Sequence, residues 1–399
     1  MSLSPKDQSL IADVLHLRSP GQAPVTLHDG QKETFYYVNN PDGSIRWFFP
    51  ANATYPAYLG LYNSGGWKAQ LYRSGTQAAF GLGLVRKWVS GEWSCDPDTY
   101  ALQQVLDNVP HDTWAAFTGT AGSNRKSVVA IAKGGQITHY LKIAHSSQAQ
   151  TLIRQEQAAL DTLRQKGIQA FSFPATVPGT APQLLIQTHI RPQNVRANMV
   201  FTPVHAEAIA ALTTARPQQV RISDSPFFQE IQSNLRFISQ PDTFHNDLDP
   251  ALLSDTLRLL QEQVFCFGSN PSFTCGPAHG DFTPWNQFFD GQRLYLYDWE
   301  LFGAQYPALY DLFHFIYQTG GLLRRHSYPR IREEIDRALR LPAIQGLCAN
   351  LGIRPELTHQ LYLSHISSYY LRIYAAETRV LAQAHQMLRL WHQALSENL

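Results

Sequence analysis

One short stretch in the second half of the chain combines side chains that suit phosphoryl transfer. His279, Gly280 and Asp281 are followed by Asn286, and Asp298 lies twelve residues after that asparagine. Phosphoryl transfer needs a group that orients the acceptor hydroxyl, and hard oxygen ligands that hold Mg²⁺ against the nucleotide phosphates. The pattern therefore predicts that Asp281 accepts or orients the hydroxyl proton. Asn286 and Asp298 are the predicted metal ligands.

The segment HGDFTPWN, with YDWE downstream, resembles the catalytic and metal-binding motifs of the aminoglycoside phosphotransferase and choline kinase family, relatives of the protein kinases. Every fixed position of the H-x-D-x-x-x-x-N pattern is matched, an apolar strand leads into Asp298, and Asp311 follows in an apolar context. The resemblance covers about residues 114–399. It implies an α+β, two-lobed protein-kinase-like fold, with ATP and Mg²⁺ as cofactors. It also makes His279 a scaffold residue.

The elements that surround the motif are mainly helical. Beyond Arg191, apolar residues recur at three and four positions in segments such as VHAEAIAALTTA, ALLSDTLRLLQEQVF and the long LYLSHISSYYLRIYAAETRVLAQAHQMLRLWHQAL. One hairpin interrupts them, in which an Asp290-Gly291 turn joins NQFF to RLYLYDW. The pattern predicts a helical C-lobe over 191–399 that carries the catalytic loop and the acceptor site.

Residues 111–190 have the pattern of a small antiparallel sheet crossed by one helix. Apolar and β-branched runs alternate with turn residues from Trp114 to Ala144, and LLIQ reads as a further strand. The helix between them ends at Gly167. This part is the predicted nucleotide-binding N-lobe.

Residues 1–110 lie outside the resemblance and are unusually aromatic. Eleven aromatic residues occur between Phe35 and Tyr72, in a pattern that begins with two short strands and a Pro-Asp-Gly turn. A packed core, or an interface with the rest of the chain, is the favoured explanation, and a surface that stacks on carbohydrate is the alternative. The extension is expected to cap the acceptor site, recognise a larger glycan or dock a partner.

The family resemblance also implies residues that bind the nucleotide. In that family, a lysine on the third strand contacts the phosphates and pairs with a glutamate on the next helix. The corresponding residues are Lys142 in HYLKIA and Glu156 in LIRQEQAAL. By themselves, such a lysine is more often a residue at a sheet edge and such a glutamate a solvated one. Their order before the catalytic loop favours the functional interpretation.

The loop before the second of these strands is a weaker candidate for phosphate binding. Gly119, Gly122, Ser123 and Asn124 permit close backbone approach and N–H donation to phosphate oxygens. The spacing differs from G-x-G-x-x-G, so a plain hairpin turn stays the alternative. The nucleotide base is expected at the segment between the lobes, where the backbone of Gln187 and His189 follows the strand LLIQ.

Composition excludes several classes of protein. Lys plus Arg number 32 and Asp plus Glu 31, a net charge of +1, whereas a protein that follows nucleic-acid phosphates carries a large basic excess. No run of about 18 uncharged apolar residues is present, and the first residues lack the apolar core of an export signal. The sequence therefore predicts no nucleic-acid partner, no membrane span and a cytoplasmic location.

The charge of the helical lobe bears on the acceptor, a small molecule with a hydroxyl group. Residues 301–399 contain seven acidic residues against ten arginines, whereas a polycationic antibiotic needs a carboxylate-rich pocket. This balance favours a sugar, a glycan precursor or a phosphorylated metabolite. Two alternatives are an aminoglycoside-type antibiotic kinase and a catalytically silent kinase-like domain that acts as a binding module. Retention of all four central residues, Lys142, Asp281, Asn286 and Asp298, favours an enzyme.

Overall fold

Strands dominate the first part of the chain and helices the second, which confirms the predicted α+β class. The computed structural model describes residues 3–18, 29–61, 67–95, 101–119, 124–196 and 198–398. Two compact units form, one from Met1–Asp161 and Pro174–Ile190, the other from Thr162–Phe173 and Arg191–Leu399.

The first unit is built on a seven-stranded antiparallel sheet with the order β3-β1-β2-β4-β5-β6-β7. Its elements are α1 (Pro5–Leu15), β1 (Asp29–Asn39), β2 (Ile45–Pro50), α2 (Trp67–Gly81), β3 (Gly91–Cys95), α3 (Leu102–Leu106), β4 (Thr113–Phe117), β5 (Lys126–Lys133), β6 (Gln136–Ala144), α4 (Ser147–Gln165), whose last residues belong to the second unit, and β7 (Leu184–Thr188).

Aromatic residues in the described part of the first hundred positions pack on both faces of this sheet. Successive side chains of a strand point to opposite faces, so Phe48 packs in one hydrophobic cluster, and its neighbours Trp47 and Phe49 pack in another. Phe35 and Trp114 complete an aromatic contact with Phe48, with ring centroids 5.8 to 6.1 Å apart. A packed core therefore accounts for much of the aromatic content.

Strands on both sides of residue 110 belong to the same sheet, since β2 pairs with β4 through Trp47–Phe117 and Phe48–Ala116. The division of the chain into an extension over 1–110, a nucleotide-binding N-lobe over 111–190 and a helical C-lobe over 191–399 stays a prediction. After β7, the chain passes from the first unit to the second between Ile190 and Arg191.

The second unit is mainly helical. Its elements are α5 (Pro203–Thr214), β8 (Gln218–Arg221), α6 (Pro226–Ile238), α7 (Pro250–Cys266), β9 (Ser272–Ala278), β10 (Gln287–Phe289), β11 (Leu294–Leu296), β12 (Gly303–Pro307), α8 (Tyr310–Tyr317), α9 (Tyr328–Leu339), α10 (Pro342–Leu351), α11 (Pro355–Ala375) and α12 (Ala382–Asn398).

Two differences from the sequence prediction concern this unit. Besides the predicted hairpin of β10 and β11, a three-stranded sheet forms in the order β12-β9-β8. Its strands are polar or contain Gly and Pro, so their sequences lack the alternation of apolar and polar residues by which a strand is predicted. The predicted long last helix is instead two helices, α11 and α12. The backbone N–H of Val380, between them, donates to Asp247, a tertiary contact that sequence periodicity does not contain.

No helix within the described ranges is both long and apolar enough to cross a bilayer.

Candidate active site

The loop that follows β9 carries the predicted catalytic residues and is fixed by buried groups. His279 is fully buried, its Nε2 donates to the carbonyl of Tyr297 at 3.0 Å, and its Nδ1 accepts the N–H of Asp281 at 3.3 Å. Gly280 has φ +83°, and a Cβ there would lie 2.1 Å from the carbonyl oxygen of Leu301. The motif therefore needs glycine at this position, and His279 has the predicted scaffold role.

Asp311 holds the same loop from the start of α8. Its carboxylate accepts the backbone N–H of His279 at 2.7 Å and of Gly280 at 3.0 Å, and the side chain is buried. Since a buried backbone N–H needs an acceptor, this aspartate satisfies two donors that the tight loop leaves without partners in a strand or helix.

Two donors bind the carboxylate of Asp281. The side-chain amide of Asn286 donates to Oδ2 at 2.7 Å and to the Asp281 carbonyl at 3.1 Å, and His314 Nε2 lies 3.0 Å from Oδ1. The side chain of Asp281 is 28% exposed. Both carboxylate oxygens are thus held, and part of the side chain stays accessible to an acceptor.

The pKa of Asp281 is lowered below its usual value. Burial, the largest single influence, raises this pKa. The hydrogen bond and the electrostatic contribution of His314, with a smaller one of His279, outweigh burial, and the charge of Asp298 opposes them. A carboxylate that is ionised at neutral pH accepts a hydrogen bond from a hydroxyl. Because a base is most effective when its pKa is near the working pH, Asp281 suits orientation of the hydroxyl better than early proton removal.

The predicted metal ligand Asp298 stands at a special backbone position. Its φ and ψ are 65° and 60°, in the left-handed region that Asn and Asp tolerate better than most side chains. The next residue, Trp299, is fully buried and packs on His279 with centroids 4.4 Å apart. The turn therefore buries Trp299 and presents the half-buried Asp298 and Glu300, whose carboxylate oxygens lie within 4.8 Å of each other.

The oxygen atoms that the second unit offers here fit Mg²⁺ as ligands. The amide nitrogen of Asn286 is used by Asp281, which leaves its amide oxygen as the atom that can bind a cation. Asp298 and Glu300 offer carboxylate oxygens close together, and oxygen ligands are those that Mg²⁺ prefers.

In the first unit, the predicted partners Lys142 and Glu156 form an ion pair. Lys142 Nζ, on β6, lies 2.9 and 2.7 Å from the two carboxylate oxygens of Glu156 on α4. Glu156 is fully buried and Lys142 is 8% exposed. The glutamate thus fixes the lysine ammonium in one place.

Removal of one member of this pair is expected to cost stability as well as activity. Lys142→Met leaves the buried Glu156 without its cation and should lower the unfolding free energy by about 3–5 kcal/mol, whereas a double change to Lys142→Met and Glu156→Leu should recover most of it. Denaturant unfolding measures both. Activity should stay lost in the double variant, and recovery of activity there would contradict a role for Lys142 in phosphate binding.

The predicted phosphate loop lies only partly within the described residues. Gly119 has φ +87°, and a Cβ would lie 2.3 Å from the carbonyl oxygen of Lys126, so a close backbone approach requires this glycine. Asn124 is exposed at the far end of the loop. Gly122 and Ser123 lie outside the described residues, and phosphate binding by the loop stays a prediction.

Both ends of this loop are tied to helix α1 of the aromatic extension. Asp13, on α1 and buried, accepts hydrogen bonds from Arg18 at 2.5 Å and from Arg125 at 2.7 Å. Arg125 Nε also donates to the carbonyl of Thr118 at 3.2 Å. Arg125 is therefore held by an acid from the amino-terminal helix.

We expect Asp13→Asn to raise the KM for ATP about tenfold, which corresponds to about 1.4 kcal/mol, with little change in kcat, because the loop end at Arg125 loses its anchor. Asp7→Asn is the matched control. Asp7 lies on the same helix but accepts the backbone N–H of Ile45, so its loss should affect stability alone. Equal KM values in the two variants would contradict the prediction.

The segment predicted to meet the nucleotide base is partly engaged within its own unit. Gln187 is buried and pairs with Tyr140 and Thr176, and the backbone N–H of His189 donates to the carbonyl of Thr138 at 2.8 Å. Base recognition by Gln187 and His189 stays a prediction, and the His189 N–H is already used.

Sequence reasoning missed two residues, His314 and Asp13. His314 follows Asp311 by three residues in a helical pattern, which places both on one face of the helix, so this spacing was a usable signal. Asp13 offered none, because its partner Arg125 is 112 residues away in the sequence.

Comparison with known proteins identifies one matching family. The model of the phosphotransferase enzyme family, APH, matches residues 118–347, more than half of the 399 residues. A comparison of the sequence with curated proteins found no match.

Several solved structures resemble the chain. An ADP-bound aminoglycoside phosphotransferase, APH(2'')-Ib, is 11% identical, with 74% of this chain and 97% of that one covered and a TM-score of 0.46. The choline kinase LicA from Streptococcus pneumoniae is 11% identical, with 74% and 97% covered and a TM-score of 0.47. A glucosamine kinase is 13% identical, with 100% and 99% covered and a TM-score of 0.45.

Proposed function

The chain belongs to the phosphotransferase enzyme family, and from this premise we propose that it transfers the γ-phosphoryl group of ATP, with Mg²⁺, to a hydroxyl group of an uncharged sugar or glycan-related metabolite. The observation that carries the proposal is the state of the Asp281 carboxylate. Two hydrogen-bond donors hold it, part of the side chain is exposed, and its pKa is lowered. Such a group orients a hydroxyl for in-line attack.

The remaining residues take the roles that phosphoryl transfer requires. Asn286 and Asp298 are the proposed ligands of Mg²⁺, which when bound neutralises charge on the phosphates. Lys142, fixed by Glu156, is proposed to contact the nucleotide phosphates. Positioning and charge neutralisation supply most of the acceleration in such a reaction.

The surroundings of Asp281 support an uncharged acceptor. Burial, followed by the charge of Asp281, raises the pKa of Tyr370, which is therefore a neutral phenol. Tyr369 meets Tyr370 edge-on with ring centroids 5.4 Å apart, and both are half-buried. Aromatic faces and hydroxyl groups suit a sugar ring. Two acids act on this region. Asp311 already binds two backbone N–H groups. Glu230, whose charge, after burial, raises the pKa of Tyr369, lies 3.7 Å from His365 Nε2.

The test is a screen of ATP consumption over neutral sugars, amino sugars, aminoglycosides, amino alcohols and nucleosides, with the Asp281→Asn protein as blank. We expect ADP release above the blank with a neutral sugar or a glycan precursor, and a phosphate ester in the phosphorus NMR spectrum of the product.

Turnover with aminoglycosides alone would contradict the proposed acceptor class but support the proposed phosphoryl transfer. An absence of turnover with every acceptor, together with unaltered thermal stability in the presence of MgATP, would favour the silent binding module.

A further inference from the structure

A buried histidine of α8 contacts the proposed hydroxyl-orienting carboxylate directly. His314 Nε2 lies 3.0 Å from Oδ1 of Asp281, and Oδ2 accepts the amide of Asn286 at 2.7 Å. The side chain of His314 is 3% exposed and that of Asp281 28%. The imidazole thus contacts Asp281 from the protein interior, and the exposed part of the carboxylate is left for an acceptor.

The hydrogen bond indicates which ring nitrogen carries the proton. An ionised carboxylate can only accept hydrogen bonds, so Nε2 of His314 is the donor to Asp281. Its Nδ1 is buried and has no hydrogen-bond partner among the residues that the structure describes. A buried acceptor without a partner is tolerated better than a buried N–H without one, which favours the tautomer with the proton on Nε2.

Aromatic rings hold the imidazole in place. Tyr310 stacks on it at 13° with centroids 5.9 Å apart, and Tyr362 meets it edge-on at 6.2 Å. Tyr310 and Tyr362 are themselves buried, with centroids 5.1 Å apart. Because a densely packed interior leaves side chains few alternative rotamers, His314 cannot follow a rotation of Asp281 and instead restrains it.

One face of α8 contacts both the backbone of the catalytic loop and the side chain of its aspartate. Asp311 binds the backbone of His279 and Gly280, and His314, three residues later, binds the side chain of Asp281. Residues three apart are neighbours on a helix surface. The helix thus couples the position of the loop to the orientation of its aspartate.

We propose that His314 is a positioning residue for phosphoryl transfer, whose Nε2–H keeps the Asp281 carboxylate in the orientation that receives the acceptor hydroxyl. The inference rests on the proposed function, since Asp281 must be the orienting group. Rates depend steeply on such placement, so loss of this hydrogen bond lowers kcat and leaves the KM for ATP nearly unchanged.

Two substitutions at the same position test the proposal. His314→Phe keeps the ring and removes the donor, whereas His314→Gln supplies an amide donor at a similar reach. We expect kcat to fall about 10- to 100-fold in His314→Phe and the KM for ATP to change less than about threefold, with His314→Gln recovering most of the lost rate.

His359→Phe is the matched control, because His359 is a buried histidine of the same aromatic region that bonds to Tyr317 instead. Its kcat should equal that of the unchanged chain. A His314→Phe protein with unchanged kcat, or a His314→Gln protein as slow as His314→Phe, would overturn the proposal.

A second readout separates this inference from the proposed function. If the unchanged chain transfers phosphate to no acceptor, the proposed function fails, and nitrogen-15 NMR of the imidazole still tests the contact. We expect the His314 proton on Nε2 and a shift of its resonances in Asp281→Asn. A spectrum with the proton on Nδ1, or one that Asp281→Asn leaves unchanged, would overturn the assignment.

Discussion

Asp281→Asn is expected to lower kcat by about 10²- to 10⁴-fold, the usual contribution of a positioned acid–base group, while MgATP still binds. The asparagine has the size of the aspartate but accepts no proton. Its amide presents only one acceptor oxygen, whereas His314 and Asn286 donate to separate carboxylate oxygens, so one of these donors loses its acceptor. ADP release gives kcat, and calorimetry gives the affinity for nucleotide.

The control for this variant is Asp336→Asn, which removes the same charge at an exposed position of α9 and should leave kcat unchanged. Turnover of Asp281→Asn within a few-fold of the unchanged chain would show that another group orients the hydroxyl. Loss of nucleotide binding along with kcat would indicate that the substitution had damaged the whole loop.

Asp298→Asn is expected to weaken Mg²⁺-dependent nucleotide binding by about 100-fold, since even changes beside a metal ligand cost 10- to 100-fold. Asparagine is the informative replacement because residue 298 has φ 65°, a conformation that asparagine tolerates and alanine adopts only with strain. The substitution thus removes the charge and keeps the backbone. Titration with ATP, with and without Mg²⁺, measures the loss.

Asp242→Asn is the matched control for Asp298→Asn. Asp242 is also an aspartate of the second unit with positive φ, 57°, but it is exposed. Its replacement should leave MgATP binding as it is. If Asp298→Asn bound MgATP as tightly as Asp242→Asn, residue 298 would not be a metal ligand.

The local part of the site could be predicted because its residues are close in sequence. Asp281 and Asn286 are five residues apart, and their hydrogen bond forms within one loop, so the motif alone indicates that they act together. The pairing of Lys142 with Glu156 could also be expected, since β6 and α4 are consecutive elements and the two residues are fourteen apart.

The length and number of the helices were less predictable. Apolar periodicity indicates where a helix can form, and it correctly indicated α5, α7 and α9. It ran without a break through residues 376–381, where α11 has ended and α12 has not yet begun. Asp247, which binds the backbone of Val380 there, is over a hundred residues away.

The sequence by itself determined the reaction class of this protein, because residue types and short spacings define which groups can orient a hydroxyl and bind a cation. Only the tertiary structure decided how Asp281 is held, since His314 reaches it across 33 residues of sequence. It also decided that Asp13 of the amino-terminal helix anchors Arg125. The physical reason is that a hydrogen bond needs two atoms about 3 Å apart in space. The sequence indicates such proximity only for residues that are close together along the chain.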